Sequence, residues 1–168
     1  MLVVKDSMIL IHLAKTSVLE DSCKFFEEVI IPRKVWKETV EIGKKRKYPD
    51  AILIEELIEK DRIDIVDVEE KELIDRARKF NIQGGEAEAV ALYWEKDADI
   101  LATDDDNVRS KSALLNLNLV GTLPILVKMF RADKVSEEKV ARSLDILQDI
   151  GWFSTAVLDK TRVEVGLI

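Results

Sequence analysis

The placement of the acidic residues constrains this chain more than any other feature. Leu2-Val3-Val4-Lys5 is a short apolar run that stops at Asp6, and Asp99-Ile100-Leu101-Ala102-Thr103 stops at Asp104-Asp105-Asp106. Each run is strand-sized, and each is followed at once by a helical pattern. Strands alternating with helices argue for a parallel sheet covered on both faces, an α/β architecture. In such a sheet the strand carboxyl ends share one edge, and sites form there. Acids directly after two strands therefore face the same edge.

The rest of the chain repeats the alternation. Met8, Ile9, Leu10, Ile11, Leu13 and Ala14 form an apolar helical stretch that Asp6 or Ser7 caps. The β-branched run to Ile31, stopped by Pro32, predicts a second strand. From Arg33 the pattern is helical, with Val35, Trp36, Thr39, Val40 and Ile42 on one apolar arc and Glu38 at its edge. The basic stretch 43–49 predicts a loop. Helices follow at 51–60 and 70–80, with an alternating strand at 63–68 between them. Gly84-Gly85 breaks the pattern before a strong helix from Glu86 to about 96. A helix at 108–115, a short strand-like stretch at 119–122 and mostly helical sequence to 149 complete the body. The division expected is 1–150 as one domain, with 151–168 an apolar, less regular extension packing on that domain or on a dimer partner.

Composition narrows the function classes. A length of 168 residues suits one domain able to bury a full core. The single Cys23 excludes an internal disulfide framework and a cysteine-based zinc site, and reads as a small hydrophobe. The longest apolar blocks, such as Val29-Ile30-Ile31, are far short of a membrane span, and no secretory signal pattern opens the chain, so it reads as cytoplasmic. A net charge of −7 argues against nonspecific coating of duplex DNA. It leaves room for an enzyme that meets nucleic acid through metal ions. Scarce Gln and Asn beside abundant Lys and Glu lean towards a thermophilic source.

Glu86 opens a helix after the glycine pair, and Glu38 sits early in another helix, so both also belong near the strand carboxyl edge. Two carboxylates about 4 Å apart repel by roughly 4 kcal/mol at an effective dielectric near 20. A convergent set must protonate, splay apart or bind a cation. Oxygen-only ligands suit hard ions such as Mg²⁺ or Mn²⁺, which activate water and stabilise a leaving oxygen in phosphodiester hydrolysis.

The same residues resemble the PIN domain family. The resemblance rests on Asp6-Ser7 after the first strand, Ile31-Pro32 with Val35 and Glu38, Gly85-Glu86-Ala87-Glu88-Ala89 opening a helix, and Thr103-Asp104-Asp105 followed by Arg109. Val120-Gly121-Thr122 resembles a stretch common in a prokaryotic, VapC-like branch. The motifs run in order from residue 2 to about 150. The resemblance implies a three-layer α/β/α fold with a central, mostly parallel sheet, and a metal-dependent ribonuclease cutting single-stranded or structured RNA. Its acidic quartet falls on Asp6, Glu38, Glu86 and the Asp104-Asp105 pair; Asp6, Glu86, Asp104 and Asp105 are the metal ligands. The family spacing after Thr103 points to Asp105 and the strand end points to Asp104, so both are carried. A homodimer, and the toxin of a toxin–antitoxin pair with a cognate antitoxin as partner, are further implications.

Plainer roles stand beside these. Asp6 and the acidic run at 104–106 are also good helix caps and turn residues. Ser7 and Thr103 either orient carboxylates or satisfy backbone at element ends. His12, in an apolar helix, reads as a satisfied buried histidine. The basic run Lys44-Lys45-Arg46-Lys47 is the candidate RNA contact and equally a solvated loop. Arg109 either meets phosphate or pins the acidic loop. An aspartyl-phosphate phosphatase is disfavoured because Met8 stands where that chemistry wants a second acid. A receiver domain is disfavoured because no matching Lys follows the last strand. A Toprim-like site stays open through Asp104-x-Asp106, although that family begins with a Glu rather than Asp6. The competing non-enzymatic reading is a catalytically silent PIN-like scaffold that binds RNA or protein.

Overall fold

The computed structural model describes residues 1–168. Five parallel strands form one sheet in the order β3-β2-β1-β4-β5: β1 Leu2–Lys5, β2 Glu28–Ile31, β3 Asp64–Ile65, β4 Ile100–Ala102 and β5 Leu119–Val120. β1 lies at the centre, pairing with β2 through Val3 and Val29 and with β4 through Val4 and Leu101. The strand order reverses between β1 and β4, which is where a parallel sheet opens a crevice at its carboxyl edge.

The two-residue period of a strand explains the three layers. Val3, Val29, Ile31, Ile100 and Ala102 point into one core of 30 buried residues. Val4, Ile30 and Leu101 point the other way, into a second core of 15. The first core is roofed by α1 Ser7–Lys15, α2 Leu19–Phe26, α9 Thr122–Arg131, α10 Glu137–Ile150 and α11 Thr155–Glu164. The second is roofed by α6 Lys71–Lys79, α7 Gly84–Glu95 and α8 Asp106–Ser110. At roughly 2 kcal/mol for each large apolar side chain buried, the two cores outweigh every polar contact described below.

Three segments depart from the sequence reading. The stretch 43–49 is not all loop. The helix that begins as α3 Arg33–Trp36 continues through a π-helical turn, Lys37–Glu41, into α4 Ile42–Lys45. In the wider turn the Ile42 N–H donates to the Lys37 carbonyl. The extra residue shifts the helical phase that the apolar arc assumed. Ile42 swings out to 42% exposure. Gly43 is buried in its place against Ala51 of α5 Pro49–Glu59, where an added Cβ would meet the Ala51 Cβ at 2.8 Å. The strand read over 63–68 shrinks to Asp64–Ile65, because β3 is an edge strand with only β2 to pair with. The tail is more regular than its sequence suggests: Ser154 caps α11, and Leu158 and Val165 are buried in the larger core.

Candidate active site

Asp6 follows β1 and is the N-cap of α1, its Oδ1 accepting the Ile9 N–H at 3.0 Å. The residue is 1% exposed. Its other oxygen, Oδ2, is buried and has no hydrogen-bond partner in the protein. Burial raises the Asp6 pKa to about 8; the Thr103 hydroxyl and Ile9 amide nearby oppose the rise, and the charges of Glu86 and Asp104 add to it. Thr103 tempers Asp6 from close by without closing a well-formed bond to Oδ2.

Glu38 lies on the π-helical turn and reaches the crevice through a bond from Ser7, whose Oγ donates to Glu38 Oε2 at 2.8 Å. Two glycines make room for it. A Cβ on Gly85 would stand 2.7 Å and 2.8 Å from the two Glu38 oxygens. Gly84 has φ +57°, a left-handed conformation that suits glycine, and it opens α7. Glu86, in the first turn of α7, is half-buried, and its pKa is raised by burial, with the charges of Glu38 and Asp105 adding to the rise.

The Asp104-Asp105 pair divides. Asp104 is 1% exposed. Its Oδ1 accepts the Thr122 N–H at 2.8 Å, and its Oδ2 accepts the Thr122 hydroxyl and faces His12 Nδ1 at 2.7 Å. Both oxygens are thus engaged by neighbours on α1 and α9. Asp105 is the N-cap of α8, accepting the Val108 N–H through Oδ1 at 2.8 Å, while its own N–H donates to Thr103 Oγ1 at 3.0 Å. It is only partly buried and lies within electrostatic reach of Glu86.

Asp6, Glu38 and Asp105 thus gather around Glu86 at the carboxyl edge, each within reach of its charge. No group of three or more His, Cys, Asp or Glu side chains stands close enough to hold a metal ion as placed. The donor set nevertheless suits a hard cation. Every available ligand is a carboxylate oxygen, and Asp6 Oδ2 is a buried acceptor lacking the partner such groups normally find. A family model described as PIN domain matches residues 2–166.

The chain belongs to the PIN domain family. The match covers the five-stranded sheet and extends through α11, beyond the point near 150 where the sequence motifs end. No curated protein and no solved structure matches the chain. PIN domains are generally nucleases, a class consistent with acids gathered at the sheet edge.

The other residues singled out by sequence divide between the crevice rim and positions away from it. Lys44 and Lys45 end α4, and Lys44 pairs with Glu55 of α5 at 2.9 Å. With a rise of 1.5 Å per residue, Lys44 is roughly 9 Å along the helix from Glu38, away from the crevice. Arg109 pairs with Asp106 at 3.5 Å on the surface, and its Nη2 would lie 3.6 Å from a Cβ on Gly121. His12 is buried, with Trp152 and Phe153 tilted against its ring at centroid distances of 5.9 and 5.4 Å. Its bond to Asp104 satisfies it, as its apolar helix implies.

Sequence reading missed Thr122. The hint was its place just beyond the short fifth strand: a hydroxyl residue at that helix start faces the neighbouring strand's carboxyl end.

Proposed function

We propose that this PIN domain is a metal-dependent endoribonuclease that uses Mg²⁺ or Mn²⁺, with Asp6, Glu38, Glu86 and Asp105 as the acids of the site. The observation that carries the reading is Asp6 Oδ2, a buried carboxylate oxygen with no partner in the protein, set among the other acids of the crevice. Leaving such an oxygen unsatisfied costs on the order of 1–3 kcal/mol, which a cation seated there would recover. When bound, a divalent cation supplies positive charge against the phosphodiester and acidifies the attacking water.

Asp6, Glu86 and Asp105 hold the cation. Glu38 is aimed by Ser7 and by the glycine cradle, and serves as ligand or as acceptor of the proton released from water. Asp104 is a positioning residue. Its bonds to Thr122 and His12 tie the ends of β4 and β5 together and fix the backbone that presents Asp105. Burial at Asp6 and Glu86 raises the cost of carrying negative charge without a counterion, so deprotonation and metal uptake are coupled.

The test is cleavage of a panel of labelled RNAs with Mg²⁺, with Mn²⁺ and with EDTA. Wild type is run beside Asp6→Asn and Asp105→Asn. Metal-dependent cutting lost in both variants supports the reading. RNA binding without cutting, unchanged by Asp6→Asn, moves the assignment to a silent RNA-binding scaffold. A toxin role is tested separately, by looking for a small DNA-binding protein in the neighbouring reading frame. Exposed apolar residues near the C-terminus, Trp152, Val163 and Ile168, support a homodimer, which sedimentation would reveal.

A further inference from the structure

A cleft of about 570 Å³ lies beside the acidic crevice, and none of Asp6, Glu38, Glu86 or Asp105 lines it. Its inner end is formed by Thr103, Asp104 and Gly121 at the carboxyl edge of the sheet. From there it runs outward between α9 and α11. Lys128 and Arg131, one turn apart on α9, and Lys160 on α11 line its walls, and Arg109 stands near the inner end. Lys128, Arg131 and Lys160 make no ion pair in the protein, and Glu164 is the one acid in the walls besides buried Asp104. In a chain of net charge −7, four cations around one cleft are a local arrangement that overall composition does not predict. Between the cations lie Leu123, Val127, Val157 and the ring of Phe153.

We infer that this cleft carries a single-stranded RNA segment flanking the scissile phosphate. The inference rests on the ribonuclease reading above and names the path its substrate takes. Cationic walls suit a phosphate backbone, and apolar and aromatic surface between them suits base faces. A cavity of this volume is of small-ligand size and excludes a duplex. Thr103 at the inner end lies beside Asp6, so a strand lying in the cleft runs toward the crevice. An acidic peptide pairing with the sheet edge is the competing occupant. β5, however, has only two residues, Leu119–Val120, too short an edge to template a strand.

The experiment compares wild type with Lys128→Glu/Arg131→Glu and with Lys160→Glu. Lys44→Glu/Lys45→Glu serves as a control of equal charge change away from the cleft. All the changed residues lie outside the acidic site. The probe is a fluorescein-labelled single-stranded RNA of about a dozen nucleotides, followed by anisotropy in EDTA over a range of salt, and by cleavage in Mn²⁺. The cleft variants should bind at least about tenfold more weakly than both wild type and the control, with the salt slope of the double variant reduced by about 2. In cleavage they should raise KM with kcat little changed. Metal-dependent cutting by wild type, with cleft variants no weaker than the control, overturns the cleft inference alone. Binding by wild type without cutting, lost in the cleft variants, keeps the cleft and overturns the catalytic reading. A wild type with no affinity for the RNA that instead binds a fluorescein-labelled poly-glutamate peptide, with that binding lost in the cleft variants, overturns the RNA assignment in favour of a peptide.

Discussion

The Glu38 carboxylate rests against the Gly85 backbone so closely that a methyl group on Gly85 would lie 2.7 and 2.8 Å from its two oxygens. Gly85 has an ordinary helical role at the start of α7, and nothing but the Glu38 carboxylate occupies the space its side chain would need. Gly85→Ala should therefore keep the fold and displace the acid. Alanine gains about 0.5–1 kcal/mol over glycine in a helix, so the melting temperature should hold or rise. RNA cleavage should fall about tenfold or more, as misplacement by an ångström does. A variant that is stable and fully active would show that Glu38 has no part in the chemistry.

Asp6 sets a pH dependence whose sign is fixed by its burial. A free aspartate titrates near 3.8, and in the folded chain Asp6 titrates at about 8. Between those values the folded protein keeps a proton that the unfolded chain has released. Raising the pH through this window therefore lowers stability. Asp6→Asn should remove the penalty while keeping the helix cap, since asparagine caps as well as aspartate. At pH 8 without metal, a gain of about 2 kcal/mol raises the melting temperature by roughly 4–8 °C. Mn²⁺ should stabilise wild type and leave Asp6→Asn unmoved. Calorimetry across pH 5 to 9 checks both, and equal melting curves for the two proteins at pH 8 would refute the first.

The two aspartates after β4 should separate by phenotype. Asp104→Asn puts an amide among three donors in a buried site, and should cost about 2–3 kcal/mol, or roughly 5–10 °C. Asp105→Asn keeps the α8 cap and should melt like wild type while losing metal-dependent cutting. Thermal melts with parallel cleavage assays decide it. The reverse pattern would make Asp104 the ligand.

Lys5 is fully buried in the larger core, its Nζ donating to Ser22 Oγ at 2.6 Å. Burial lowers its pKa, so the unfolded chain binds a proton that the folded chain tends to release, and stability rises with pH up to the ordinary lysine range. Lys5→Met should stabilise the protein at neutral pH by about 1–3 kcal/mol, because Ser22 keeps its bond to the Leu19 carbonyl. The gain should shrink as the pH approaches 10. Urea melts at pH 7 and pH 10 test it, and a destabilised Lys5→Met at pH 7 would count against it.

The parallel sheet, Asp6 and the Asp104-Asp105 pair were legible because strand-sized runs end in acids, and Glu86 because it opens a helix after a glycine pair, patterns set by neighbours in sequence. The division of labour between Asp104 and Asp105 was not, because it depends on Thr122 and His12, which only the fold brings to Asp104. The cationic cleft was equally hidden. Its lysines and arginines come from α8, α9 and α11, which only the fold brings together, whereas the basic run at 44–47 is contiguous in the sequence.

The π-helical turn at Lys37–Glu41 lets one helix keep two appointments. Within the turn the phase is set by the acid edge, where Ser7 and Gly85 receive Glu38; beyond it the phase is set by Ala51, against which Gly43 nests. A single-residue deletion between 37 and 41 would restore an even winding and set those two demands against each other. The extra residue thus lets the acid edge and the neighbouring helix pair each set its own side-chain register along one helix.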